Sequence, residues 1–267
     1  MLITVVTPTL NGIRYLQDCI ESVRGQESSN VEVEHVVVDG GSTDGTVEVA
    51  EAQGCTVITG RDDGIFDAIN KGSFRASGQL LGVLGSDDML QPGALDAVAC
   101  RYQQDGRRWL VGGGRWLDGE GRPRGDIAAP PTWITVPMLG SLGWMYLQHN
   151  ATYVHRDLFQ ELGGYDKSFR YYGDYDFVLR ALEREPFSRI DRILSSCRRH
   201  GGNASMQQTP VHWAETRKIM HRYATSSPWR QMMYRYLLKI WVNGTNPRWF
   251  VDKRLDSIRM RPTPSAG

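Results

Sequence analysis

The first 105 residues alternate short β-branched apolar runs with amphipathic runs, and this alternation constrains the fold more than any other feature. Apolar runs that stop at proline, glycine or acidic residues are typical of buried strands, whereas apolar residues at helical spacing indicate amphipathic helices. The predicted strands are 3–7, 33–38, 55–59 and 80–84, and the predicted helices are 13–25, 47–52, 65–76 and 92–104. Such alternation favours an α/β fold, with a doubly wound, mostly parallel sheet and helices on both faces.

Beyond residue 105 the alternation is weaker. Three consecutive glycines, a proline pair and several tryptophans in 106–150 indicate short strands and loops that cover one side of the sheet. Further along, the pattern predicts helices over 157–162 and 176–185, a strand over 188–196 and a basic helical segment after about residue 209. The chain therefore divides into an α/β half (1–105), a second half (106–208) and a basic helical tail (209–267).

Charge is distributed unevenly along these parts. The chain has 31 Lys and Arg against 30 Asp and Glu, which excludes a generally basic coat for nucleic acid, and we predict no nucleic-acid partner. Residues 1–216 nevertheless carry 20 basic and 28 acidic side chains, whereas residues 217–267 carry 11 basic and 2 acidic ones. A tail of net charge +9 thus follows a body of net charge −8.

Several features predict a cytoplasmic location. The four cysteines are far apart and form no Cys-x-x-Cys pair, which is typical of reduced thiols. The N-terminus lacks the basic start and small-residue cleavage site of a signal peptide. No apolar run approaches the roughly 20 residues that span a bilayer.

Polar residues follow each of the four predicted strands. They are Thr7-Pro8-Thr9, Asp39-Gly40-Gly41, Arg61-Asp62-Asp63-Gly64 and Ser86-Asp87-Asp88. Ligands of open α/β sheets bind beyond the carboxyl ends of the strands, so these residues mark a candidate site. Asp39 opens a glycine-rich turn that is not a dinucleotide fingerprint, since its glycines fall at 40, 41 and 45. Its carboxylate is available to a nucleobase N–H or, alternatively, to its own turn.

Asp87 and Asp88 are adjacent carboxylates, which repel each other unless a cation or hydrogen-bond donors compensate them. Oxygen ligands of this kind suit Mg²⁺ or Mn²⁺, which keep coordination positions for water and substrate phosphate. The alternative is a helix N-cap ahead of Pro92.

Asp174 and Asp176 stand at the start of a predicted helix. Two acids so spaced cannot both cap the helix, so one is available as a general base. His200 lies in a glycine-rich loop after two arginines, either as a solvated residue or as a ligand, and the arginines suit a neighbouring phosphate.

Five motifs occur together and in order. They are 5–11 (VVTPTLN), 39–45 (DGGSTDG), 67–72 (DAINKG), 86–88 (SDD) and 163–166 (GGYD), the last before Asp174. Over roughly residues 1–205 this set resembles family 2 glycosyltransferases of the GT-A fold. The resemblance implies a nucleotide-sugar-binding half over 1–105 and an acceptor-side half with the catalytic base over 106–208.

The resemblance also implies the donor site. In similar enzymes the end of the first strand lines the nucleoside pocket, the acid after the second strand contacts the base, and further residues lie near the donor sugar and phosphates. The positions that match here are Thr7, Pro8, Thr9, Asn11, Asp39, Asp63, Lys71, Ser86 and Asp87. Ser86 stands where many relatives have the first acid of an Asp-x-Asp motif.

Two further roles follow from the same resemblance. The last acid of that motif, Asp88, is the expected ligand of Mn²⁺ or Mg²⁺. His200, whose role the residues themselves leave open, is a second candidate ligand. The family's Glu-Asp motif falls on Gly173 and Asp174, which makes Asp174 the expected base and Asp176 the fallback.

The implied reaction is metal-dependent, inverting transfer of one sugar from a nucleotide sugar to an acceptor hydroxyl, with UDP favoured over GDP or dTDP. The Gln-x-x-Arg-Trp motif of processive relatives has only a wrongly spaced counterpart in 104–109, which favours a single addition. The alternatives are a nucleotidyltransferase, for which 7–12 lacks a basic glycine-rich loop, and a non-catalytic nucleotide-sugar-binding module.

The tail combines basic with aromatic and aliphatic residues, a pattern typical of helices that lie on anionic membranes. We therefore expect residues 217–261 to bind such a surface, peripherally on the inner face of the cell membrane. The expected acceptor is a lipid-linked saccharide or glycolipid. Alternatively, the tail packs on the acidic body.

Overall fold

This computed structural model describes residues 1–143, 145–200 and 209–245. Its centre is a mixed sheet of nine strands. The strands are β1 (Leu2–Thr9), β2 (Glu32–Asp39), β3 (Thr56–Thr59), β4 (Leu80–Val83), β5 (Met89–Leu90), β6 (Trp109–Leu117), β7 (Pro123–Ile127), β8 (Thr152–His155) and β9 (Ser188–Arg198). Their order is β3-β2-β1-β4-β8-β6-β9-β5, and β7 pairs with β6.

The helices cover both faces of this sheet. They are α1 (Ile13–Arg24), α2 (Thr46–Ala52), α3 (Ile65–Arg75), α4 (Ala94–Asp105), α5 (Val136–Gly140), α6 (Arg156–Glu161), α7 (Gly173–Arg184), α8 (Pro210–Tyr223) and α9 (Pro228–Thr245), with a 3₁₀ turn at His149–Ala151. On β1, Val5 packs with Val23 of α1, whereas the next residue, Val6, packs with Ala68 of α3. The predicted α/β architecture with a helical C-terminal part is confirmed.

The four strands β1–β4 are parallel, as their helical crossovers require. Beyond them the sheet is mixed, since β8 runs antiparallel to both β4 and β6, while β6 and β9 are parallel. The carboxyl ends of β1, β2 and β4 meet at one edge because these strands are in register. The β1–α1, β2–α2 and β4–β5 loops leave from that edge.

The region 106–150 is more regular than its sequence indicates. It contains the nine-residue strand β6, whose first six residues are buried. Gly112 and Gly114 of β6 permit close packing, because a Cβ would lie 2.4 Å from Leu194 at the first and 2.7 Å from Gln148 at the second. Glycines weaken a strand pattern, which is why the length of β6 was not predicted, whereas the five-residue β7 and the loops beside it agree with the prediction of short strands and loops.

Helices α8 and α9 pack on the body through one side each. Ile219 and Tyr223 of α8, and Leu238 and Val242 of α9, belong to the same apolar cluster as the sheet-facing side of α7. Arg235 of α9 also donates to the carbonyl oxygen of Ser141 at 2.9 Å. Among the helices that the structure describes, none is both long and apolar enough to cross a bilayer.

Candidate active site

The loops after β1 and β2 are locked together by side-chain hydrogen bonds. The N–H of Asn11 donates to Ser42 Oγ at 2.7 Å, and Asn11 Oδ1 accepts from the N–H of Thr43 at 3.0 Å. Asn11 holds a left-handed backbone conformation with φ 51°, which an asparagine tolerates better than most residues. Gly12 follows and donates its N–H to Thr46 Oγ1 at 3.0 Å. Asn11 thus shapes the rim of the site, which is the sheet edge where the loops after β1, β2 and β4 leave.

Asp39 is buried at the end of β2 and organises its own turn. One carboxylate oxygen accepts from the N–H groups of Gly41 at 2.9 Å and Ser42 at 2.8 Å, and the other from the Ser42 hydroxyl. This is the turn hydrogen bonding that the sequence left open as an alternative. Contact between Asp39 and a nucleobase stays a prediction.

The predicted residues at the end of β1 differ in their surroundings. Thr7 is fully buried and its hydroxyl bonds His35 Nε2 at 2.9 Å, and Pro8 is buried beside it. Thr9 stands at the strand end, where its hydroxyl has no hydrogen-bond partner among the described residues. Gly12 faces it, since a Cβ there would lie 2.3 Å from Thr9 Oγ1 and 2.9 Å from Ser86 Oγ. Thr9 and Ser86 therefore face the same narrow space.

Lys71 of α3 connects the β3–α3 loop to this rim. Its ammonium donates to Asp62 Oδ1 at 2.5 Å and lies 2.8 Å from Asp67 Oδ2. The hydrogen bond from Lys71 holds the pKa of Asp67 well below its usual range. A Cβ on Gly40 would lie 3.4 Å from Asp62 Oδ2, so Asp62 borders the β2 turn, while the predicted Asp63 is exposed.

Asp87 and Asp88 converge over Gly85, where a Cβ would lie 2.9 Å from Asp87 Oδ1 and 3.1 Å from Asp88 Oδ2. Asp88 is buried, accepting from the N–H of Arg198 at 3.0 Å and from Asn150 Nδ2 at 3.2 Å. Burial, and next the charge of Asp87, raises the pKa of Asp88 to about 7. Two carboxylates are thus held close together, with Asp88 buried and Asp87 partly exposed.

His200 lies next to Asp87. Its Nε2 is 3.0 Å from Asp87 Oδ2, and its ring lies 5.1 Å from that of Tyr15, centroid to centroid. Arg198, the last residue of β9, reaches Asp18 of α1 at 2.9 Å. Within residues 1–143, 145–200 and 209–245, no three His, Cys, Asp or Glu side chains are grouped closely enough to hold a metal ion by themselves.

Asp174 and Asp176 both lie in the first turn of α7. Asp174 is partly exposed and accepts from the N–H of Tyr175 at 2.8 Å, and burial raises its pKa to about 6. Asp176 is 1% exposed, and bonds Arg180 Nε at 2.7 Å and the Tyr223 hydroxyl at 3.1 Å. The two candidates for the base therefore differ in exposure and in hydrogen bonding: Asp174 is partly exposed, whereas Asp176 is buried and bonded to two side chains.

The 3₁₀ turn connects the acids after β4 with the start of α7. Asn150 binds Asp88, and the adjacent His149 lies 2.7 Å through Nε2 from the hydroxyl of Tyr165. The charge of Asp174 in turn acts on the Tyr165 phenol. The turn at 149–150 thus bonds Asp88 directly, whereas Asp174 acts on Tyr165 through its charge alone.

Sequence reasoning missed four residues of this site. They are Asp62, Asn150, Arg198 and Glu215. Asp62 lies in a run that was singled out, but its neighbour Asp63 was chosen. Arg198 was singled out only as one of two arginines suited to a phosphate, whereas Asn150 and Glu215 carried no signal, because each acts through tertiary contacts to a distant part of the chain.

Comparisons with known proteins agree with this geometry. The sequence model of glycosyl transferase family 2 matches residues 4–162. A PGL/p-HBAD biosynthesis glycosyltransferase of Mycobacterium bovis (strain BCG / Pasteur 1173P2) is 29% identical over 192 residues, which cover 68% of this chain and 70% of that protein.

Two solved structures share the fold. Staphylococcus aureus TarS 1–349, in complex with UDP-GlcNAc, has a TM-score of 0.65 at 17% identity and covers 88% of this chain and 70% of its own. The mannosyltransferase PcManGT of Pyrobaculum calidifontis, in complex with GDP-Man and Mn²⁺, has a TM-score of 0.57 at 16% identity. That match covers 99% of this chain and 77% of PcManGT.

Proposed function

Since the chain belongs to glycosyltransferase family 2 and has the GT-A fold, we propose that it transfers one sugar from a nucleotide sugar to an acceptor hydroxyl with inversion. The observation that carries the proposal is the placement of both acids around the turn at 149–150, where Asn150 binds Asp88 and His149 bonds Tyr165, on which the charge of Asp174 acts. It links an acidic donor-side pair to an acid suited to proton transfer. We assign donor binding to 1–105 and acceptor binding with the base to 106–208.

The donor is proposed to bind across the ends of β1, β2 and β4. The unpartnered hydroxyl of Thr9, beside Ser86, supports this, because a buried hydroxyl without a hydrogen bond is costly unless a ligand completes it. Asn11 and Asp39 would shape the nucleoside side, with Asp63 near them, and Lys71 and Asp87 the phosphate and sugar side. UDP is the favoured nucleotide, with GDP or dTDP as alternatives.

A divalent ion, Mn²⁺ or Mg²⁺, fits the acidic pair. Mg²⁺ and Mn²⁺ sites in such enzymes need only one or two protein carboxylates, since substrate phosphates and waters complete them. Asp88 would hold the ion, with Asp87 and its neighbour His200 beside it, and the raised pKa of Asp88 is consistent with charge that a cation would offset. When bound, the ion would supply charge stabilisation for the departing diphosphate.

Asp174 is proposed to act as the base. The residue is partly exposed, and its carboxylate takes the proton of the acceptor hydroxyl while that oxygen forms a bond to the anomeric carbon. The bond from that carbon to the diphosphate oxygen breaks on the opposite face, so the anomeric configuration inverts. Asp176 is less suited to this role, because Arg180 and Tyr223 already occupy its oxygens.

The acceptor is proposed to be a lipid-linked saccharide or glycolipid, which the protein binds at the anionic inner face of the cell membrane. The face of α9 that points away from the body exposes large apolar side chains, including Trp229 at 65% and Ile240 at 68%. The same helix carries Arg230, Arg235 and Lys239 and no acidic residue. Apolar and basic residues together are what an anionic lipid surface binds. The proposed membrane-binding segment continues to residue 261, but residues 246–261 lie outside the described part of the chain.

Donor turnover tests this proposal directly. We expect one of UDP-, GDP- or dTDP-sugars, with Mn²⁺, to raise the thermal unfolding midpoint, and an acceptor to release the nucleoside diphosphate. Asp88→Asn should abolish most turnover and the Mn²⁺-dependent part of binding, whereas the exposed Asp191→Asn should change neither. Full activity in excess chelator would remove the metal role. Binding without turnover would favour the binding module, and pyrophosphate release from a nucleoside triphosphate would favour a nucleotidyltransferase.

A further inference from the structure

Glu215 of α8 makes an unusual set of hydrogen bonds with the segment just before α7. Its carboxylate is buried and accepts from three consecutive backbone N–H groups, those of Arg170 at 2.6 Å and of Tyr171 and Tyr172 at 3.0 Å each. Gly173 begins α7 directly afterwards, and Asp174 is the next residue. A single side chain thus fixes the backbone that leads into the proposed base.

Other residues on the same side of α8 hold the same segment. The ring of His212 stacks on that of Tyr171 with centroids 3.7 Å apart, and Lys218 Nζ donates to Ser168 Oγ at 2.9 Å. From the other direction, Gly173 packs against Phe66 of α3, where a Cβ would lie 2.7 Å from the ring. The start of α7 is therefore clamped between α3 and α8.

We propose that Glu215 is a positioning residue of the transferase site, which holds Asp174 at its working place through the backbone of 170–172. A small displacement of a reacting group is expensive, since about 1 Å can cost roughly 100-fold in rate. Without Glu215, three inward N–H groups would need new partners and the segment would rearrange. The proposal depends on Asp174 being the base.

Glu215 also has an electrostatic effect on Asp174. Its negative charge raises the pKa of Asp174, in addition to the larger effect of burial. The charge of Asp174 in turn acts on the phenols of Tyr165, in the loop before α7, and of Tyr175, on α7 itself. Both phenols are neutral at physiological pH, because burial raises their pKa values. Removing the Glu215 charge should therefore lower the pKa of Asp174.

Two substitutions separate position from charge. Glu215→Gln keeps the length but loses the charge, whereas Glu215→Asp keeps the charge but is one methylene too short to reach all three N–H groups. For both variants we expect kcat to fall about 10- to 100-fold with an unchanged KM for the donor. Only Glu215→Gln should also move the acidic limb of the kcat/KM profile to lower pH. Glu183→Gln, an exposed acid of α7, is the matched control and should resemble the parent.

The outcomes are distinct. Unchanged kcat in Glu215→Asp, with the fold verified by circular dichroism, would overturn the positioning role, and this variant keeps the test valid if Glu215→Gln fails to fold. Lowered stability with full kcat in the remaining folded protein would equally overturn it. If Asp174→Asn retains full turnover, it is the assignment of the base that fails, whatever the Glu215 variants do.

Discussion

Asp174 and Asp176 stand two residues apart in α7 and have opposite surroundings. Asp174 is partly exposed and accepts a hydrogen bond from the backbone N–H of Tyr175, whereas Asp176 is enclosed by Arg180, Tyr223 and Arg222. A base must be reached by the acceptor and must exchange a proton, which the first environment permits. The second environment keeps α7 and α8 together.

The acid dependence of the reaction tests this difference. Because burial raises the pKa of Asp174 to about 6, the base is protonated and inactive below that value, so kcat/KM should fall as the pH drops through about 6. Asp174→Asn should lower kcat by several orders of magnitude while donor binding persists. Asp176→Asn should chiefly lower the free energy of unfolding, measured in urea. If Asp176→Asn instead removes the rate and keeps stability, the two roles must be exchanged.

At this scale the sequence indicates the kind of residue better than the particular one. The acids after the strands were singled out because four strand ends carried polar residues and three of them carried acids. Neighbours such as Asp62 and Asp63, however, look alike in the sequence, and only the fold shows that Lys71 of α3 bonds Asp62. Asn150 and Glu215 could not be found from the sequence. Asn150 bonds a residue 62 positions away, and Glu215 bonds residues 43 to 45 positions away. Such contacts exist only in the folded chain.

Among the elements, α3 ties the two halves of the molecule together. Asn70 accepts from the N–H of Tyr165 at 2.8 Å and donates to its carbonyl oxygen at 2.8 Å, which fixes the loop before α7. Two residues further along, Gly72 lets α3 lie close to the sheet, because a Cβ would be 2.6 Å from Val6 and 2.8 Å from Val38. The motif at 67–72 is therefore explained largely by packing.

Gly72→Ala should consequently destabilise the protein. Alanine normally favours a helix by up to about 1 kcal/mol over glycine, but overpacking against two buried valines costs about 1–3 kcal/mol. We expect a net loss in the free energy of unfolding, measured by urea denaturation. Gly244→Ala, in α9 with open space at the Cβ position, is the matched control and should be neutral or stabilising. Equal stability of both variants would contradict the close approach of α3.

The elements of the first 105 residues follow from the sequence because their local patterns and their packing agree. The predicted helix over 13–25 and the observed α1, Ile13–Arg24, differ by one residue. In 106–150 the two disagree, since β6 needs glycines where Leu194 and Gln148 approach its backbone. A local pattern cannot show that a glycine is required by a neighbour far along the chain.

Over the whole molecule, positive and negative charges are separated, with a net negative body and a net positive tail. The acidic body carries the site, and the described part of the tail presents cations and exposed apolar residues on α9. The alternative reading, a tail that packs on the body, holds for one side of α9, where Leu238 and Val242 are buried. Both interpretations of the tail therefore have a surface available to them.

Vesicle co-sedimentation tests the outer face. Each basic residue near an anionic surface contributes about 1 kcal/mol, so Arg230→Glu with Lys239→Glu should weaken binding to anionic vesicles at least tenfold. Binding by the parent should also weaken as salt rises, because the attraction acts over about 8 Å at physiological ionic strength. These substitutions avoid truncation near residue 225, which would remove Leu238 and Val242 from the core.

The control for this experiment reverses two cations elsewhere, in Arg24→Glu with Arg75→Glu, both on exposed positions of α1 and α3. This pair changes the net charge equally and should bind vesicles much more strongly than the α9 pair. Equal loss in both pairs would mean that only net charge matters, and absence of binding by the parent would reject the membrane role.

The strand order has a consequence for the synthesis of the chain. The open edge of β4 is completed only by β8, and β5 only by β9, the last strand of the described sheet. At about 5–20 residues per second, the β4 edge waits roughly 4–14 s for residues 152–155 to be translated. An unpaired edge readily pairs with other chains. The growing chain is thus most prone to aggregate after β4 has been translated and before the ribosome has translated β8.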